Sequence, residues 1–347
     1  MTGKHNIETI DTVPKGSLGS RIGAFCRRFW WLLAIILVIV VLVIVLPVIF
    51  VAYPKLAQED VSASTLTIAD MQTTNPRPDA LHVKVTQVIG SKSKYHPTLD
   101  PFDAKVYLEG QQESFMTLHT PQVKADDGVK AIIDQDVKIE NAEGFAAFSK
   151  AIMLSKEVKL NIIGTTKLKL GGLQKTDVDY DKTTTLKGEP FSVYTYSLSL
   201  FANFLSPGMN HLEGFNVTDI KIGNIPDTEY NMKGNAFIPN PSVLTLDMGN
   251  LTLNLAVDGH PIGYSVLHDV VIKPGDNNIP MFAKADLAYV LKQTGKESKY
   301  PNGIVPVSIL GNSSVAHGKE LPYYTKAVAA NTLMVDLNVP AILSGGK

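Results

Sequence analysis

A run of apolar residues from Phe29 to Val51, FWWLLAIILVIVVLVIVLPVIFV, constrains this chain more than any other stretch. No charge interrupts it, the nearest being Arg28 before and Lys55 after. At 1.5 Å per helical residue the run covers about 34 Å, slightly more than the ~30 Å hydrocarbon core of a bilayer. In hydrocarbon each backbone N–H and C=O must be satisfied within the segment, so a helix is expected. Trp30 and Trp31 at one end and Tyr53 at the other sit where amphipathic rings favour the interface. Pro47 lies near the far end, where lost backbone bonds cost least. A buried core helix is the first rival reading, and the uninterrupted length opposes it. A cleaved signal peptide is the second. Its apolar region normally spans about 7–15 residues and ends in a small-x-small site. The exit through Val51-Ala52-Tyr53-Pro54 favours an uncleaved anchor.

Lys15, Arg21, Arg27 and Arg28 precede the span without an acid among them, whereas Lys55 is soon answered by Glu59 and Asp60. The positive-inside rule then places residues 1–28 in the cytosol and the rest in a lumen or outside the cell. The expected plan is a disordered cytosolic tail (1–28), a transmembrane helix (29–52), a linker (53–80) and two strand-rich units (81–189 and 190–347). A formal net charge of −1 argues against nucleic acid as a partner, because such binding needs a basic stripe. The single cysteine, Cys26, lies on the cytosolic side. Beside two arginines it suits reversible palmitoylation, an idle thiol being the alternative. With no disulfide available, the outer portion must be stabilised by burial alone.

Past Pro78 the apolar residues alternate, as in Leu81, Val83 and Val85, a period of two that marks strands. Further strand-like runs fall at 104–108, 137–139, 158–163 and 167–170, then at 193–200, 217–222, 251–257, 262–267 and 305–310. Two stretches read instead as short helices, 143–156 with Phe145, Phe148, Ile152 and Met153, and 281–293 with Met281, Phe282, Leu287, Tyr289, Val290 and Leu291. Phe145 matches Phe282, and Ile163-Gly164-Thr165-Thr166 matches Leu310-Gly311-Asn312-Ser313, which suggests a divergent duplication with its boundary near 186–190. Leu244, Leu246 and Met248 share one parity, and Leu251, Leu253, Leu255 and Val257 the other. A bulge at Gly249-Asn250 would return the apolar face to the core. Asp258-Gly259 suits a tight hairpin. The expected fold is mainly β, with tandem immunoglobulin-like sandwich units that each carry a short helix.

The order Asn240-Pro241-Ser242, long strand, Asp258-Gly259-x-x-Ile262-Gly263, then Asp269, Pro274-Gly275 and Asn277 resembles the type 2 late-embryogenesis-abundant domain. That domain is also called the water-stress and hypersensitive-response domain. The likeness covers about residues 230–285, and the first half only weakly. The whole plan also resembles a fungal family of single-pass membrane proteins with tandem domains of this type. The resemblance implies an immunoglobulin-like sandwich, a vacuolar or lysosomal home for some anchored relatives, and a suggested lipid-binding role. It carries over no catalytic residue and no cofactor.

Chemistry is sparse. Asp177-Val178-Asp179-Tyr180-Asp181 starts like a calcium loop, but Lys182 stands where the sharp turn needs Gly and Gly188 where Glu should chelate. A strand with acids on its solvent face fits better. The eight histidines show no ligand spacing. Gly263-Tyr264-Ser265 lacks a nucleophile elbow. No metal, cofactor or catalytic residue is expected. Asn216, Asn250 and Asn312 head Asn-x-Ser/Thr sequons beyond the membrane span, Asn250 and Asn312 being the better candidates for glycosylation.

The expected function is therefore that of a membrane-anchored lumenal binding protein of an endomembrane compartment, with lipid as the ligand class. Its candidate cleft comprises Phe145, Phe148, Ile152, Met281, Phe282, Tyr289 and Leu291, the second helix being apolar over more of its circumference than one contact requires. A helix buried on two sides is the competing explanation. The alternative functions are a structural or adhesive surface protein and a hydrolase with a dispersed site.

Overall fold

A computed structural model describes residues 30–186 and 209–344. The tail, Cys26, the basic flank, the boundary near 186–190 and the strand expected at 193–200 lie largely or wholly outside them. The chain divides into two compact units, residues 1–56 and 57–347.

In the first unit, α1 (Trp30–Pro47) buries none of its side chains within the protein. A π-helical turn, Val48–Ala52, follows directly on Pro47. The proline ring has no N–H to donate and crowds the preceding turn, so the helix widens there rather than breaking. The helix resumes as α2 (Tyr53–Ala63), giving one helical run from Trp30 to Ala63 that is long and apolar enough to cross a membrane.

The second unit is mainly β and places two sheets in a sandwich-like arrangement. The larger sheet holds β1 (Thr65–Arg77), β2 (Ala80–Gly90), β7 (Val129–Lys138), β10 (Asn216–Ile222), β11 (Met232–Asn240), β12 (Leu244–Val257), β13 (His260–Ile272) and β14 (Gly275–Ala285). Their order is β10-β11-β14-β13-β12-β1-β2-β7, with β15 (Ile304–Ala316) on β12, and both β16 (Lys319–Glu320) and β17 (Thr332–Asn338) on β15. The smaller sheet holds β3 (Thr98–Leu99), β4 (Phe102–Leu108), β5 (Met116–Thr120), β6 (Val123–Lys124), β8 (Val158–Lys169) and β9 (Thr176–Leu186). Among the described residues the unit also holds α3 (Ala142–Leu154), α4 (Leu287–Lys292), α5 (Pro322–Val328) and α6 (Val339–Leu343).

The period-two pattern places β2 as expected, with Leu81, Val83, Val85 and Ile89 buried. The bulge in β12 also stands. Gly249 takes φ +62°, and the register to β13 shifts on both sides of it. Asp258 and Gly259 both take positive φ, +51° and +78°, the geometry of a tight primed hairpin turn. The Asn-Pro-Ser stretch is a local knot of bonds. Asn240 Nδ2 donates to the Leu244 carbonyl at 2.8 Å, while Asn240 Oδ1 accepts from Ser242 N–H and Oγ–H.

Two organisational expectations need correction. The stretch expected as a linker, 53–80, is α2 and β1 instead. The alternation of β1 is hidden because a register shift at Ile68/Asp70 moves the buried set from Leu66 and Ile68 to Met71 and Thr73. The two halves are also not separate sandwiches. β1 pairs with β12 in parallel, Met71 opposite Leu244 and Thr73 opposite Leu246, so one sheet runs through both. The second helix also starts late. β14 carries Met281 and Phe282 and runs to Ala285, and Asp286 caps α4 by accepting the Tyr289 N–H at 2.9 Å. Phe145 and Phe282 are therefore not equivalents, although Gly164 and Gly311 share a role: a Cβ on either would press on a neighbouring element, Asp103 and Phe102 or Val328.

Candidate functional site

Seven strands of the larger sheet, β10-β11-β14-β13-β12-β15-β17, surround a cavity of about 40 Å³. Val217 and Ile220 of β10 line it at one end of this strand series, and Val335 and Leu337 of β17 at the other. Among the described residues each end strand pairs on one side only, β10 with β11 and β17 with β15. The strands thus form a barrel that does not close, with its seam between β10 and β17 beside the cavity. Met281 forms part of the wall and Val290 of α4 part of the roof. Every lining side chain is apolar, and the cavity is partly open to solvent. Water gains little in such a space, because it finds no polar partners there.

Local sequence explains the site. In β17 Val335 and Leu337 are buried and the residues between and beyond them exposed. In β14 Ile279, Met281, Ala283 and Ala285 alternate inward. Small residues at 283 and 285 leave the space that larger ones would fill. α6 follows β17 and packs against β10 and β15, so it straps one part of the seam. Val339 N–H donates to the Gly303 carbonyl at 3.0 Å, which fixes the start of α6.

Of the residues expected in a cleft, only Met281 lines this cavity. Phe282 points to the other face of the sheet and stacks on Tyr230, ring centroids 5.8 Å apart. Tyr289 stacks on His260 at 4.1 Å, and Leu291 is exposed. Phe145, Phe148 and Ile152 are fully buried in α3. Phe148 stacks on Phe115, Phe145 meets Phe115 at a tilt, and Phe145 meets Tyr323 of α5 edge-on at 4.8 Å. α5 packs directly against α3, so these rings are spent on the contact between the two helices. Val217, Ile220, Val335 and Leu337 were missed because their strands are short and only half apolar, although Val335 and Leu337 do alternate visibly.

Among the described residues, one charged side chain is buried. Asp177, Asp179 and Asp181 lie on the exposed face of β9, between buried Val178, Tyr180 and Lys182. Lys182 is buried, and its ammonium donates to the carbonyls of Val61, Ser62 and Ser64 at the end of α2. A cation is well placed there, because the last carbonyls of a helix lack the usual partner in a next turn and carry the negative end of its dipole. Burial lowers the Lys182 pKa. A second recess, of about 20 Å³, lies beside it and includes Asp60, which accepts from Ser93 Oγ–H at 2.8 Å. His82 bridges Asp136 and Asp134, each at 2.9 Å, and these bonds raise its pKa, that to Asp136 most. Among the described residues no three His, Cys, Asp or Glu side chains gather as a metal site. Asn216, Asn250 and Asn312 are all exposed on strands.

Residues 113–255 match a family described as "Protein of unknown function (DUF3712)". This stretch spans both halves and includes most of β12, whose Leu255 forms part of the cavity wall. No curated protein matches the chain. Among solved structures, a bacterial adhesin from Mobiluncus mulieris containing intramolecular disulfide, isopeptide and ester bond cross-links is 8% identical, with a TM-score of 0.18, over 76% of this chain and 83% of that one. The CupB6 tip adhesin from Pseudomonas aeruginosa is 6% identical, with a TM-score of 0.16, over 79% of this chain and 98% of that one.

Proposed function

We propose that this protein is a membrane-anchored, non-catalytic binding protein that shelters an acyl chain in the open barrel beneath α4. The observation that carries this reading is the cavity itself, apolar on every side and reached from solvent beside an unclosed seam. Cavities of this character suit apolar ligands, which need no charged clamp. Each methylene buried contributes about 0.8 kcal/mol. At about 40 Å³ the cavity holds a few carbon atoms, so the rest of the chain would run out along the seam. The N-terminal helix supports the setting, being long and apolar enough to act as an anchor. The basic flank orients it with the N-terminus in the cytosol and the β-rich unit in an endomembrane lumen, the vacuole being favoured by the resemblance to anchored late-embryogenesis-abundant relatives.

The test uses the full chain in its native membranes, labelled with a photoactivatable, clickable palmitate analogue. Adducts should concentrate in peptides from β10, β14 and β17. Val290→Trp, which fills the cavity from its roof, should remove them while the fold survives by circular dichroism. Adducts confined to α1, or labelling of the sandwich that Val290→Trp leaves unchanged, would end the reading. The structural or adhesive alternative would then stand.

A further inference from the structure

We infer that Asn250 and Asn312 are N-glycosylated, as a neighbouring pair on the outer face of β12 and β15. The inference rests on the lumenal orientation proposed above, because the oligosaccharide donor faces the lumen. Both sequons are complete, Asn250-Leu251-Thr252 and Asn312-Ser313-Ser314. Each lies in a bulge that turns its asparagine outward. At Asn250 the register between β12 and β13 shifts beside Gly249, and Asn250 is exposed between buried Gly249 and Leu251. At Asn312 the ladder between β12 and β15 passes from Thr252 opposite Ser313 to Leu253 opposite Gly311, leaving Asn312 as the extra, exposed residue.

The amides are free at the atom that matters. Asn250 Oδ1 accepts the Asp269 N–H at 2.9 Å, which holds the side chain and leaves Nδ2 without a partner among the described residues. Asn312 makes no side-chain hydrogen bond among them. In the transfer, the anomeric carbon of a polyprenyl-diphosphate oligosaccharide breaks its bond to the phosphate oxygen and forms a C–N bond to Nδ2. The amide loses one proton, and the lipid diphosphate leaves with the electron pair. The transfer precedes folding, so Ser314, whose Oγ–H donates to the Met248 carbonyl at 2.7 Å in the fold, is still accessible when it is needed. The fold must then let both glycans leave, and it does. Thr252 and Ser313, one opposite the other, tie the two sites into one patch. Glycans there would cover the outer face of these strands and leave the seam between β10 and β17 clear.

The full chain would be expressed in eukaryotic cells and treated with peptide-N-glycosidase in heavy-oxygen water, which marks each former glycan site as labelled aspartate. Site-resolved mass spectrometry should find the mark at Asn250 and Asn312, and Asn250→Gln and Asn312→Gln should each raise gel mobility by one glycan step. Gln174→Asn supplies the control, since it creates Asn-Lys-Thr in the exposed turn before β9. Glycan at that control site with both native sites bare would overturn the inference and leave the orientation intact. A control site and native sites that are all bare would overturn the orientation, and the inference with it.

Discussion

Gly259 and Gly311 separate two reasons for a glycine. At Gly259 the backbone takes φ +78°, and a Cβ would meet nothing within 4 Å. Only backbone strain opposes a side chain there, and a left-handed non-glycine residue costs roughly 1–2 kcal/mol. At Gly311 a Cβ would lie 2.5 Å from the backbone carbon, Cβ and Cγ2 of Val328. α5 cannot retreat easily, because Tyr323 and Tyr324 are buried behind it. Overpacking of that kind costs about 3 kcal/mol. Urea titration should therefore give a small loss for Gly259→Ala and a larger one for Gly311→Ala. Equal losses would mean that α5 does not press on β15. The first role was legible in the sequence, since Asp-Gly between alternating runs announces a hairpin. The second was only half legible. Matching glycines after Ile163 and Leu310 were visible, but the neighbour that each must admit comes from elsewhere in the chain.

At the level of elements, strands are more legible in the sequence than helices. Alternation survives in a strand wherever one face is buried, and β2, β12 and β13 show it. The helix expected at 281–293 failed at its start because Met281, Ala283 and Ala285 alternate inward, while Met281 and Ala285 also keep the i, i+4 spacing of a helix. A short apolar run satisfies both periods, and pairing with β11 and β13 decided for strand. One strand pair carries a pH dependence. His82 of β2 stands opposite Asp136 of β7, with Asp134, Lys84 and Arg77 around it. Its bonds to Asp136 and Asp134 raise its pKa above the ordinary 6.5. A raised pKa means that the folded state binds the proton more tightly than the unfolded one. The stabilisation is then fully present below about pH 6.5 and fades as pH rises through the folded value. Thermal melts should show wild type losing more stability than His82→Gln between pH 6 and pH 8. Parallel pH profiles for the two proteins would show that the bridge does not form in solution.

For the whole molecule, size and topology make opposite predictions about cooperativity. Residues 57–347 are numerous enough for two domains that unfold separately. Continuity of the sheet opposes this. β1 lies between β2 and β12, so neither half completes the sheet alone. α5 adds side-chain ties across the same divide. Tyr323 Oη–H donates to the Arg77 carbonyl at 2.9 Å, and the Tyr324 and Thr73 hydroxyls are hydrogen-bonded to each other at 3.1 Å. Lys326 pairs with Glu143 on α3. The larger consequence is that the β-rich unit should unfold in one transition. Tyr323→Ala removes a ring packed on Phe145 and on Tyr324, and such aromatic deletions cost about 3–5 kcal/mol. Calorimetry should show that variant melting earlier, still as one peak. Hydrogen exchange should give α3 and β13 a common loss of protection. If α3 and the smaller sheet kept their protection after β13 had lost its own, the halves would be independent domains, and the parallel β1–β12 pairing would not bind them energetically.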